Sequence, residues 1–439
     1  MESLPSPLAV AWLAMTLFAL LMYVCLDGFD LGIGMLLLLQ PRNAHRKEMV
    51  EVVATAWDGN ESWLVLVGVA LFGGFPLAYS TLLPALYIPV VLMLFALILR
   101  GIAIEFQSQS ATYAPGWGTA FGVGSLVAAV CQGVVAGAVI SGLPVVNGQF
   151  AGGPFSFAQP LCIITSAWLV SAYLLTGAGW LNDKASGKLQ AWSKRVLWRG
   201  AGVAALLVVA ALFLSLNLTP VVDGPINIAL VVVATIVAVA ALFAAASATR
   251  GAKDGRPFGF AEVALLSTTV GLGGTIYPDI VPPALPFWQA LAPNSTVTFL
   301  LIGVGGCIPI VLIYNAYAYH VFRGKFVVPV PAWLAALAAA PVRSAPRKKP
   351  AEDVMVSVPS RLSAKALPLE WLRNVGWIAV WTVLFFLCLN SLGGVLGDVV
   401  DLLGVVLLIA AMVAVWIVTD RRDAARQSTL GQPGPVEPK

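Results

Sequence analysis

Apolar residues fall along this chain in long blocks, and polar residues come in short clusters between them. A helix needs about 20 apolar residues to cross a bilayer. Blocks of that kind predict spans over 8–38, 50–76, 79–105, 117–141, 160–181, 198–217, 226–249, 259–280 and 295–322. The first is too long for a vertical crossing, so it should tilt or project beyond the membrane. After 322 the pattern changes. A stretch rich in Pro, Ala and basic residues follows, with a basic run from Arg343 to Lys349, and its apolar piece Val327–Ala340 is too short to span. Two more spans are expected at 374–392 and 399–419, and the polar tail 420–439 reads as disordered. No internal repeat is visible.

Composition agrees with the blocks. The chain has 439 residues, 59% apolar and only 10% charged. A soluble domain carries about 25% charged residues, so the fold class expected is an all-α polytopic membrane protein of about 11 transmembrane helices. Nothing suggests a nucleic-acid partner. The N-terminal residues carry no basic region and no small-residue cleavage site follows, so the first block reads as a retained helix.

Lys and Arg set the expected topology. Basic residues follow span 1 (Arg42, Arg46, Lys47), span 5 (Lys184 to Arg199), span 7 (Arg250, Lys253, Arg256), span 9 (from Arg323) and span 11 (from Arg421). The loops after the even spans have none. The alternation predicts an outer N-terminus and a cytoplasmic C-terminus.

Against this apolar background, charges inside spans stand out. Asp27 and Asp30 lie in Asp27-Gly28-Phe29-Asp30-Leu31-Gly32-Ile33-Gly34, at i and i+3 on one helix face. An ionised Asp at the middle of a span costs about 2.5–3.5 kcal/mol on insertion scales. Asp58 and Glu61 follow in Trp57-Asp58-Gly59-Asn60-Glu61-Ser62-Trp63, expected two to three turns inside the cytoplasmic boundary of span 2. Arg100 and Glu105 lie near the inner end of span 3. Six ionisable groups from three spans are thus expected in one leaflet. Five acids and one base cannot all pair, so some must be protonated, hydrated or met by another subunit. Two readings stand: ion pairing that only holds helices together, or a proton or ion path.

Other residues carry less. Cys25, Cys131, Cys162, Cys307 and Cys388 are scattered singly and read as packing. The two histidines, His45 and His320, lie in a loop and at a span end, so a bis-His haem within this chain is not expected. Glu262, near the start of span 8, could snorkel to the surface. Tyr277-Pro278-Asp279 reads as a structural cap and Asn294 as a helix N-cap; the sequon Asn294-Ser295-Thr296 is discounted. Trp57, Trp63 and Trp168 read as interface anchors or packing, with Trp63 the functional candidate because it shares a span with Asp58.

At these residues the sequence resembles subunit II of the cytochrome bd-type quinol oxidases. The matching pieces are Asp27 to Met35, Trp57 to Leu64 and Leu99-Arg100-Gly101-Ile102-Ala103-Ile104-Glu105-Phe106. Further matches are Tyr277-Pro278, Ala292 to Thr296 with Thr298, and Pro309 to Tyr314. The resemblance covers roughly residues 8–325, and the form around Arg100 is nearest the cyanide-insensitive branch. It implies two four-helix bundles plus a peripheral helix within 1–325, and a bacterial cytoplasmic (inner) membrane. It implies a complex that oxidises quinol and reduces dioxygen to water. Haems b and d and the quinol site would belong to subunit I, this chain being the haem-free partner; a structural quinone is implied for some members. Acids matching Asp27 and Asp58 are implied in a cytoplasmic proton path, and the residue matching Trp63 near an apolar oxygen route.

Residues 326–373 then read as a linker, 374–419 as an extra transmembrane hairpin and 420–439 as a tail. Trp371 to Trp377 faintly resembles the small single-span accessory subunits of these oxidases, and a dispensable hairpin fits as well. The expected mechanism uses Asp58 and Asp27 first, Asp30 and Glu61 as modulators, and Arg100 and Glu105 to order the entrance. Proton pumping is not required. The rival class is a proton-coupled secondary transporter, which also uses midmembrane acids and Gly-broken helices; a third reading is a purely structural subunit.

Overall fold

The computed structural model describes residues 5–110, 114–146, 148–218, 224–251 and 253–325. The expected linker 326–373, hairpin 374–419 and tail 420–439 lie outside the described residues. Within them the fold is helical: α1 (Pro7–Leu39), α2 (Asn43–Val53), α3 (Trp57–Gly74), α4 (Pro76–Gln109), α5 (Pro115–Ser141), α6 (Pro160–Lys184), α7 (Gly187–Leu218), α8 (Pro225–Ala248), α9 (Arg256–Ile276) and α10 (Asn294–Val321). Two short antiparallel pairs sit in loops: β1 (Val145–Val146) with β2 (Gln149–Phe150), and β3 (Asp279–Val281) with β4 (Leu285–Pro286). Pro at N1 or N2 opens α1, α4, α5, α6, α8 and α9, where its missing N–H costs nothing.

Eight of these helices are long and apolar enough to cross a membrane. Nine spans were expected up to residue 322, and the difference lies in span 2. Residues 50–76 do not form one helix. The chain turns at residues 54–56, so polar α2 is separate and α3 starts at Trp57. With 18 residues, α3 is about 27 Å long, slightly under the hydrocarbon thickness of about 30 Å. Its first two turns hold Asp58, Asn60 and Glu61. Asp58 is therefore in the first turn of its helix, not two to three turns inside it.

Packing follows the chain. α1 lies against α3, α5 and α6, and α4 against α5. α6, α7, α8 and α9 pack in succession and α9 closes onto α6; α10 touches α3 and α1. α1 runs unbroken through its glycines. They set helix separation: a Cβ on Gly32 would meet the Tyr173 carbonyl oxygen at 1.8 Å, and one on Gly34 the Ser125 Oγ at 2.1 Å. At the other end of α1, Trp12 is buried, donates from Nε1 to the Ala70 carbonyl (3.1 Å) and packs on Gly74 where α3 turns into α4. Pro293 caps α10, and Asn294 is the first helical residue with no side-chain cap bond. Asn294 is not the N-cap because the preceding Pro already supplies the extended backbone there.

Outside the spans, Asp254 ties three segments together. It pairs with Lys325 beyond α10 (2.8 Å) and Lys194 on α7 (3.6 Å), while its carbonyl accepts from Asn182 of α6 (2.6 Å). Partial burial opposes its charge, but the Lys325 hydrogen bond, Gln190 and the two lysines outweigh this and hold its carboxyl below the ordinary carboxylate range.

Two outcomes are expected. Gly32→Val should cost about 1–3 kcal/mol through overpacking, read as a lower unfolding midpoint of the purified protein, whereas Gly116→Ala, with open space around it, should be near neutral. Because the Asp254 carboxyl sits below its unfolded value of about 3.9, its contribution is full above about pH 4 and is lost as pH falls through the folded value. Protection of 253–256 against hydrogen exchange, taken relative to the intrinsic rate at each pH, should therefore fall below about pH 4, and Lys325→Met should remove that step.

Candidate functional site

The fold gathers charges from three helices around one guanidinium. Arg100, on α4, is fully buried at 0% exposure. Its Nη1 donates to Asp27 Oδ1 on α1 at 2.6 Å, and its Nη2 to Glu61 Oε2 on α3 at 2.8 Å. Asp27 is also 0% exposed, whereas the Glu61 side chain keeps 26%. Arg is suited to this because its planar fork can hold two carboxylates at once. The small Gly124 lets α5 close against the backbone at Ala96 and Arg100.

Asp30, buried on the same face of α1, takes a different partner. Asn60 Nδ2 donates to Asp30 Oδ2 at 2.7 Å, and Tyr319 of α10 donates to Asn60 Oδ1 at 2.7 Å. The sequence between the acids serves packing: Phe29 stacks on Trp180 at 4.6 Å between ring centroids, with Phe258 edge-on at 5.6 Å. One eight-residue stretch thus supplies two carboxylates, an aromatic anchor and the glycines that admit α5 and α6.

The expected site residues divide. Asp27, Asp30, Glu61 and Arg100 come together. Asp58 is exposed on the first turn of α3 and joins none of these bonds. Glu105 is exposed and bonds to Gln109 on its own helix. Trp63 is 1% exposed, packs edge-on against Phe18 at 5.8 Å, and leaves its Nε1 without a hydrogen bond. Glu262 does not snorkel. It is buried between helices, and neither carboxyl oxygen has a hydrogen-bond partner meeting ordinary geometry; Cys25 of α1 is its polar neighbour.

Sequence reasoning missed Asn60, Tyr319, Tyr23, Gln132 and Tyr173. The available signal was a neutral polar side chain inside an apolar block: Gln132 is the single amide in α5. Buried amides need partners as surely as charges do.

No group of three or more His, Cys, Asp or Glu side chains is placed to hold a metal among the described residues. A cavity between α6, α7, α8 and α9 is lined by Thr165, Trp168, Val208, Leu212, Thr235 and Thr268, among others. Its Thr hydroxyls already donate to backbone carbonyls. The lining is thus mainly apolar, with its Thr hydroxyl protons already donated.

The architecture defines a class: a helical, multi-pass membrane protein with an ion cluster held among its helices. The family follows from comparison. Residues 8–322 match the family model of cytochrome bd terminal oxidase subunit II, and the chain belongs to that family. It is 24% identical to the probable cytochrome oxidase subunit 2 of Haemophilus influenzae and 22% identical to the cytochrome bd-I ubiquinol oxidase subunit 2 of Escherichia coli K12, covering 72% of this chain and 94% of each relative. It is 25% identical to the cytochrome bd ubiquinol oxidase subunit 2 of Bacillus subtilis, over 72% of this chain and 95% of that one. Its fold matches a chain in the structure of bd oxidase from Geobacillus thermodenitrificans with a TM-score of 0.60 and 17% identity, over 72% of this chain and 99% of that one. The protein is thus a terminal oxidase subunit, and the transporter alternative is not favoured.

Removing one member of a buried ion pair costs about 3–5 kcal/mol. Arg100→Leu, which strands Asp27, should lower stability by that order in a denaturant titration of the purified complex. Glu61→Gln, at the part-exposed arm, should cost distinctly less. Equal losses would mean that Glu61 is as sealed as Asp27.

Proposed function

We propose that this chain is the haem-free subunit II of a quinol:dioxygen oxidoreductase, and that it conducts protons from the cytoplasm toward the haems of subunit I. The observation that carries the reading is the Glu61–Arg100–Asp27 bridge. It links a part-exposed carboxylate to a fully buried one through a single guanidinium. A cluster held only for adhesion would gain nothing from leaving one acid part-exposed.

In this reading protons reach Glu61 from the mouth formed by exposed Asp58 and Glu105. Arg100 keeps the cluster from accumulating uncompensated negative charge. Asp27 and Asp30 lie deepest. Asp30, held only by a neutral amide, is where a proton can rest without leaving an unpaired buried charge. Trp63 and Phe18 form a dry aromatic contact suited to dioxygen, which is apolar. When bound in subunit I, the haems supply the redox chemistry; this chain supplies the proton route and a rigid wall. Quinol oxidised near the outer face and protons drawn from the cytoplasm separate charge without a pump.

The rest of the proposal follows the basic loops and the packing. The protein lies in the bacterial inner membrane with its N-terminus outside and its C-terminus in the cytoplasm. α1, α3, α4 and α5 make one four-helix bundle, α6 to α9 a second, and α10 is peripheral; a C-terminal hairpin would bring the helix count to about 11. The hairpin stands where a single-span accessory subunit would be fused.

The test is a visible absorption spectrum of the affinity-purified complex, with quinol-driven oxygen uptake on the same sample. Haem bands and uptake are expected. Asp27→Asn should keep the haem bands and slow uptake by about tenfold, the effect of roughly 1.4 kcal/mol on a barrier. A complex that stays colourless when co-expressed with its partner, or an Asp27→Asn complex with full turnover from pH 6 to about pH 8, would overturn the reading.

A further inference from the structure

A second line of polar side chains leaves the acid cluster on the side away from Glu61. Tyr23 lies one turn before Asp27 on α1 and is 3% exposed. Gln132 of α5 donates from Nε2 to the Tyr23 hydroxyl at 2.7 Å. Tyr173 of α6, fully buried, donates to Gln132 Oε1 at 2.7 Å. Having accepted from Gln132, the Tyr23 hydroxyl keeps its own proton to donate. The Asp27 carboxylate is its neighbour, and Asp27 Oδ2 has no hydrogen-bond partner of ordinary geometry. The order is Tyr173, Gln132, Tyr23, Asp27, with every donor aimed toward the acid.

The direction of this line matters. α1 and α6 run in the same sense if each intervening span crosses once. Tyr23 sits at the middle of α1, one turn toward its N-terminal end from Asp27, and the cavity beside Thr165 and Trp168 lies toward the N-terminal end of α6 from Tyr173. The basic loop after α1 and the polar first turns of α3 are at the other end. A continuous hydroxyl line here would lead protons from the cluster toward the opposite face of the membrane.

It is not continuous, because its middle member is an amide. A hydroxyl can accept a proton on a lone pair and release its own. A Gln side chain has a carbonyl that only accepts and an NH2 that only donates. Passing a proton through it requires an imidic tautomer. The same two bonds that orient Tyr23 toward Asp27 therefore stop conduction at α5.

We propose that Gln132 is a proton stop: it positions Tyr23 on Asp27 while closing the path from the acid cluster toward the far side of the membrane. This rests on the proton-path reading above. It makes Gln132 a positioning residue whose amide chemistry, rather than its volume, is what the site needs.

The experiment uses the whole complex in liposomes, without quinol. A potassium diffusion potential drives protons, and an enclosed pH dye reads their flux; assembly of each variant is first checked by its haem spectrum. Gln132→Glu restores a group that can relay, so proton leak should rise severalfold. Gln132→Met, which fills similar space without relaying, should be as tight as the unaltered complex. Gln132→Ser gives a second relay-competent variant if the Glu variant fails to assemble. A tight relay variant, or a Met variant that leaks as much as the Glu variant, overturns the inference. Asp27→Asn separates the two readings. If it slows oxygen uptake while Gln132→Glu stays tight, only the stop fails. If Gln132→Glu leaks and Asp27→Asn in that background neither slows uptake nor closes the leak, the proton path itself fails.

Discussion

A guanidinium buried among membrane helices cannot be left unpaired, and that constraint fixes how α1, α3 and α4 meet. Arg100 is 0% exposed and reaches one acid on each of two other helices. The effective desolvation penalty of several kcal/mol per buried ion is offset only by good geometry and added hydrogen bonds. Both contacts are short, charge-assisted bonds, which are the strong kind. They hold only if α1 keeps its rotation and depth. The glycines of α1 hold it there: α5 and α6 approach so closely at Gly32 and Gly34 that no side chain would fit. Electrostatics and close packing thus depend on one another through the same eight residues.

From that centre two arms of neutral polar groups extend. Asp30 reaches Tyr319 of α10 through Asn60. Asp27 has Tyr23 beside it, and Tyr23 reaches Tyr173 of α6 through Gln132. Each arm passes through an amide and ends on a tyrosine, half-buried Tyr319 in one and fully buried Tyr173 in the other. Amides satisfy a carboxylate's lone pairs, or those of the hydroxyl next to it, without adding charge that would itself need burial. They also fix rotamers, because donor and acceptor cannot be exchanged without breaking both bonds. The cluster is therefore closed on two sides by groups that hold protons in place, and open at Glu61.

The helices were legible because membrane spans advertise themselves as apolar blocks. The break between α2 and α3 was not. Met49, Val50, Val52 and Val53 are buried and carry the apolar pattern across the polar helix, so residues 50–76 looked continuous. That one error moved Asp58 too deep; Glu105, on α4, stands apart for another reason, being exposed and bonded to Gln109 of its own helix. The acids of α1 and Arg100 could be found because charge inside an apolar block is rare. Asn60, sitting between two acids that drew attention, and Gln132, alone in α5, carry no charge. Their importance comes from what they touch, which no spacing rule contains. Glu262 shows the reverse: a start-of-span acid that looked able to reach water is packed between helices instead.

Charge balance gives the cluster its direction. Two carboxylates on one guanidinium leave one negative charge in excess if both are ionised, before Asp30 is counted. In the proton-path reading proposed above, a proton restores that balance and moves without a detour through an amide. Asn60 closes the α10 side and Gln132 the α6 side. What remains is the part-exposed Glu61, beside the face of α3 and α4 where Val65, Val69, Phe95 and Ile98 are exposed. That face is apolar along its length and polar at one end. In a membrane complex a partner seated there would seal the open acid from lipid. On that reading the proton is handed across a subunit boundary rather than carried through this chain alone.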